Sequence, residues 1–204
     1  MLDLDRALTD IRAMKSQLAR GTEFRGYGPA TFAVTGVLAL TAAWTQARWI
    51  DDPANDLFAY VGLWAATAVV STIVIAVEVI TRSRRVHSGL ADEMVIAAAE
   101  QLLPAMVTGA LLTFVVMRFA PQSAWMLPGL WQIVLSLGAF ASCRSLPAPL
   151  FAVGVWYLAT GLACLAFASG ENAFSPWAMG APFTIGQFLA ALLIHLIGVP
   201  DAED

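Results

Sequence analysis

Six apolar runs of roughly 18–25 residues follow one another between Pro29 and Gly198, each close to the length a helix needs to cross about 30 Å of hydrocarbon. No property of the chain narrows its fold more. Composition agrees: 59% of residues are hydrophobic and only 13% are charged, with a mean hydropathy of +0.71. A soluble domain would carry about 25% charged residues. The pattern predicts an all-α integral membrane protein, a six-transmembrane-helix bundle with spans at about 29–47, 58–80, 94–117, 125–142, 149–168 and 177–198. Two units are expected: a cytoplasmic or interfacial helix within residues 1–25 and a transmembrane domain over 26–200.

The first segment earns its helical assignment by spacing. Leu4, Ala7, Leu8, Ile11, Met14 and Leu18 recur at three- and four-residue steps, opposite Asp3, Asp5, Arg6, Asp10, Arg12, Lys15 and Arg20. Such a helix lies in the headgroup interface or docks on a partner. The first 25 residues show no apolar core or small-residue cleavage site of a signal peptide, so the first span is expected to serve as an uncleaved signal.

Lysine and arginine set the orientation. With the N-terminus inside, Arg6, Arg12, Lys15, Arg20, Arg25, Arg82, Arg84, Arg85 and Arg144 face the cytoplasm, and only Arg48 and Arg118 face out. Both termini are then cytoplasmic, in a bacterial-type inner (plasma) membrane. Trp44, Trp49, Trp125 and Trp177 fall at the outer ends, where amphipathic rings favour the interface. The lipid bilayer is the expected surrounding. A protein partner on the cytoplasmic face is an option, and nothing points to nucleic acid, because the net charge of −4 merely sums loops and tails. Cys143 and Cys164 lack CxxC spacing and read as buried small side chains.

Thr35-Gly36, Thr108-Gly109 and Thr160-Gly161 mark the odd-numbered spans, and Gly62-Leu63-Trp64 and Gly129-Leu130-Trp131 mark the second and fourth. These matches fit three tandem helical hairpins inserted the same way round. Polar and small residues also recur at helical spacing within single spans. Thr31, Thr35, Leu38, Ala42 and Thr45 do so in the first; Tyr60, Trp64, Thr67, Ser71, Val74 and Glu78 in the second; Trp125, Gly129, Gln132, Ser136, Ala139 and Cys143 in the fourth; Thr184, Gln187, Ala191 and His195 in the sixth. Such faces are expected to turn inward, because lipid satisfies neither hydroxyls nor amides. Close helix packing explains most of the serines and threonines.

The costlier groups carry the candidate sites. A carboxylate at the centre of a span costs on the order of 2.5–3.5 kcal/mol, so it is rarely idle. At 1.5 Å per residue, Glu78 lies roughly 3–5 Å inside the cytoplasmic boundary, Glu100 about 9 Å and His195 roughly 5 Å. Gln101 follows Glu100, and Pro104 frees a carbonyl near position 100. A Glu100–His195 contact would relieve the desolvation of both, and Arg144 could serve Glu78 or Glu100 instead. Nearer mid-bilayer, Gln132 and Gln187 sit among Trp64, Trp131, Trp156 and Tyr157, a setting suited to a small planar or mostly apolar ligand. His87, Glu100 and His195 lack metal-ligand spacing, so no metal is assigned, and no cofactor is expected. Neither GxSxG nor HExxH occurs. Gly26-Tyr27-Gly28 lacks the context of a potassium filter. The expected function is a small-molecule or ion-binding module used in transport or sensing. The alternative is a scaffold or accessory subunit that docks a partner through the N-terminal helix and the Arg82–His87 turn. An intramembrane enzyme comes third, and no catalytic residue is assigned.

Overall fold

A computed structural model of the chain describes residues 28–86, 91–142 and 148–198, without the side chains of 82–86, 91–102, 148, 171 and 198. The amphipathic helix expected at 2–20, together with His87, Cys143 and Arg144, lies outside the described residues. Among those described, the protein is entirely helical. The α-helices are α1 (Pro29–Trp49), α2 (Leu57–Val86), α3 (Ala91–Phe119), α4 (Leu127–Ser142), α5 (Phe151–Phe167) and α6 (Pro176–Gly198).

Among the described residues four stretches are long and apolar enough to cross a membrane by length and composition: Pro29–Trp49, Leu57–Thr81, Pro121–Ser142 and Pro176–Ile197. The described apolar part of α3, Leu103–Phe119, and the whole of α5, Phe151–Phe167, are shorter. The boundaries follow local chemistry. Pro29 opens α1, where a missing N–H costs nothing. A 3₁₀ turn over Pro121–Met126 leads into α4, and another over Ala148–Leu150 leads into α5, so the fifth α-helix begins two residues later than its sequence suggests. The Arg82–His87 segment expected as a turn is helix as far as it is described: α2 continues through Val86, and His87 lies outside the described residues. Ser and Arg have adequate helix propensity, and leaving an apolar environment does not end a helix whose hydrogen bonds are internal.

Each helix packs on its neighbours in sequence, and α6 returns to α1, so the six form a closed ring. The two most extensive interfaces are α1 against α6 and α4 against α5. Both are made by glycines. A Cβ at Gly129 would stand 2.8 Å from the Gly161 carbonyl, and one at Gly161 would stand 2.9 Å from the Gly129 carbonyl. Gly36 lies against Gln187, and a methyl at Gly180 would collide with Ala43. The α2–α3 interface is thinner; Gly62 and Gly109, which belong to the same repeated motifs, have nothing within 4 Å. Thr72 on α2 reaches only the Met106 sulfur on α3, at 3.8 Å. Two indoles also repeat one arrangement: Trp64 donates to Gln46 and Trp131 donates to Thr113, each at 2.8 Å and each 18 residues back across its own hairpin.

Val69, Val70, Ile73 and Val77 on α2, and Leu103, Val107, Leu111 and Phe114 on α3, are exposed on the outside of the ring. One core cluster gathers around Tyr60, Trp64, Leu127, Phe174 and Met179, and a second around Leu150, Val153, Tyr157 and Ala190.

Candidate functional site

The loops 50–56, 120–126 and 168–175 meet at one end of the ring, here called the distal end. A cavity of about 250 Å³ opens between them, lined by Leu57, Pro121, Gln122, Trp125, Ala173 and Phe174 among others. Phe174 forms its floor and is buried. It is the one described non-glycine residue with positive φ, at 59°. A bulky side chain there is strained by about 1–3 kcal/mol unless its surroundings hold it. They do. The Phe174 carbonyl accepts a 2.6 Å hydrogen bond from Gln46 Nε2, and the Gln46 oxygen accepts from the Trp64 indole. The Phe174 ring meets Tyr60 edge-on, with centroids 4.9 Å apart.

Below this floor lies a buried polar layer. Tyr60 on α2 stacks nearly parallel to Trp131 on α4, with centroids 6.4 Å apart. Gln132 follows Trp131 and is wholly buried. Its amide N–H₂ donates to the Pro128 carbonyl at 3.1 Å and to the Ala178 carbonyl of α6 at 2.9 Å. Ala178 stands four residues before Pro182, which has no N–H to offer it; the glutamine side chain replaces the missing helix bond. Two buried polar atoms have no hydrogen-bond partner among the described residues: the Tyr60 hydroxyl and the Gln132 amide oxygen. The Cys164 thiol of α5 is also buried.

Gln187 belongs to another network further from the distal end. Thr35 donates to its oxygen at 3.0 Å, and its nitrogen donates to the Tyr157 hydroxyl at 3.3 Å. Trp156 donates to the Pro182 carbonyl at 2.9 Å, and Thr184 donates to the Gly36 carbonyl at 3.3 Å. Gln132 ties α4 to α6, whereas Gln187 ties α6 to both α1 and α5.

Of the candidates near the opposite end, Glu78 and His195 have described side chains. Glu78 is half-buried and accepts a 2.7 Å hydrogen bond from Thr31 on α1. His195 is exposed on the last turn of α6, so the polar face expected on that helix turns outward at its end. Glu100 and Gln101 lie within α3, but their side chains fall outside the description, as does Arg144. Among the described residues no cluster of His, Cys, Asp or Glu could hold a metal.

Sequence reasoning identified Gln132, Trp131 and Gln187 as inward-facing, and Tyr60 and Trp64 as members of an inward stripe. It passed over Gln46 and Phe174. The 18-residue spacing of tryptophan and partner was a readable signal for Gln46, and the proline four residues after Ala178 was one for Gln132. No family model matches this chain, and neither a curated protein nor a solved structure matches it.

Proposed function

We propose that the chain is a six-span protein of a bacterial-type inner membrane, with both termini cytoplasmic, that binds a small and mostly apolar molecule at its outward-facing distal mouth for transport or sensing. Four stretches meet the spanning criterion outright. The long α3 and the 17-residue α5 cross as members of the same closed ring, since a helix packed between spanning neighbours shares their environment. The arrangement of Lys and Arg sets the distal end outside. On that reading the ring is three tandem hairpins, and the contacts of Gly36 with α6 and Gly161 with α4 are its equivalent junctions.

The cavity carries the binding reading. It is framed by all three outer loops, walled by Trp125 and Leu57, and floored by a strained Phe174. Ligand sites are concave and apolar with a few polar groups, and local strain gathers at them. Fluorobenzene is a suitable probe. In protein-loaded nanodiscs, after subtraction of empty nanodiscs, ¹⁹F line broadening is expected to saturate with probe concentration. Trp125→Ala should weaken binding about tenfold, the effect of losing roughly 1.4 kcal/mol of aromatic contact. Absence of any saturable, protein-dependent signal would overturn the reading.

A further inference from the structure

We infer that Phe174 is a plug and that the ligand of this protein is a small ring-bearing molecule with one hydroxyl or amide group, seated against Tyr60 and Gln132 once the plug turns aside. The inference rests on the mouth being a ligand site, as proposed above. It deepens that reading by naming the polar end of the site.

Three observations lead to it. First, two buried atoms have no hydrogen-bond partner among the described residues, the Tyr60 hydroxyl and the Gln132 amide oxygen, and their residues are linked through Trp131, which stacks on Tyr60 and precedes Gln132. An unpaired buried polar group is destabilising, and native proteins retain few of them. Here one group can donate and the other can only accept. A ligand hydroxyl, or the C=O and N–H of an amide, would satisfy both together. Second, the walls are flat and apolar. Tyr60 stacks on Trp131, and the rings of Phe174 and Trp64 belong to the same cluster. Third, Phe174 both lines the cavity and meets the Tyr60 ring edge-on, so it stands between the mouth and this layer. Its backbone is held in the left-handed region by the Gln46 amide, an arrangement that a change of φ would release. Water is the smallest molecule able to bridge the two groups; the aromatic walls favour a larger planar occupant.

The test compares fluorobenzene with 4-fluorophenol, which differ by the hydroxyl group alone. Wild-type protein in nanodiscs should bind the phenol about tenfold more tightly, after correction for partition into empty nanodiscs. Tyr60→Phe preserves ring and volume; it should reduce that preference at least threefold and leave fluorobenzene unchanged. Phe174→Ala should speed exchange of the phenol between its free and bound states. Should that variant fail to fold, Phe174→Leu keeps an apolar plug of smaller girth and should act in the same direction. Equal, Trp125-dependent binding of both probes would overturn the inference and leave the mouth reading standing. So would a phenol preference indifferent to Tyr60→Phe, or exchange indifferent to both Phe174 variants. If neither probe binds, both readings fall.

Discussion

Gln46 does more than any other single side chain to hold the distal end together. Its oxygen receives the Trp64 indole and its nitrogen holds the Phe174 carbonyl, so one amide joins α1, α2 and the loop before α6. Interhelical hydrogen bonds in membranes average only about 0.6 kcal/mol, because the unfolded chain finds other partners. Removing the shared amide strands two buried groups at once, which is costlier. Gln46→Ala should destabilise the bundle by about 2–3 kcal/mol, whereas Trp64→Phe, which removes one donor and leaves Phe174 held, should cost about 1 kcal/mol. Reversible unfolding in mixed micelles measures both. Equal effects would show that the Phe174 bond contributes little. The sequence was readable here to within one position. The stripe Thr31, Thr35, Leu38, Ala42, Thr45 begins on buried residues, but at the distal end Gln46 is buried while Thr45 is only half-buried. Repeated three- and four-residue steps approximate 3.6, and the error accumulates over four turns. The carbonyl that completes the bond belongs to a backbone turn with positive φ at a phenylalanine, for which residue type gives no signal.

At the scale of helices, boundaries were legible and partners were not. Four of the six begin and end within two residues of what hydropathy indicates, because apolar length and proline mark those ends. The helix α3 begins three residues early, and α2 runs on past its apolar stretch, because hydropathy reports where apolar surface ends and not where helical hydrogen bonding ends. Which helices press together depends on glycines whose sequence context is alike. Thr108-Gly109 and Thr160-Gly161 share a motif, but Gly161 meets the Gly129 carbonyl and Gly109 meets nothing. Alanine substitution separates them. Gly161→Ala should cost about 1–3 kcal/mol, since α4 and α5 must part to admit a methyl group. Gly109→Ala should be neutral or stabilise by up to about 1 kcal/mol through helix propensity alone. Thermal unfolding of the two variants in detergent provides the comparison, and similar losses would mean that α2 and α3 pack as closely as α4 and α5.

Among the described residues the helices form a closed ring, and the orientation proposed for it is open to a direct test. In a background lacking Cys143 and Cys164, cysteine at Asn55 should be labelled from outside by an impermeant thiol reagent and cysteine at Ser83 should not. Asn55 is exposed in the loop between α1 and α2. Preferential labelling at position 83 would turn the mouth to the cytoplasm. The ring as such was not legible: nothing in the composition of α1 announces that its main partner is the last helix and not the next.

That closure also sets a timetable for synthesis. The chain is made from its first helix onward, yet Thr35 waits 152 residues for Gln187, and Gln46 waits 128 residues for the carbonyl of Phe174. Trp64 arrives only 18 residues after Gln46 and can engage its oxygen almost at once. The first hairpin therefore has an early fastening of its own, while the amide's other end stays open until the final turn is made. An incomplete chain is marked by that unsatisfied amide in an apolar bundle, the kind of feature by which an unfinished bundle differs chemically from a finished one.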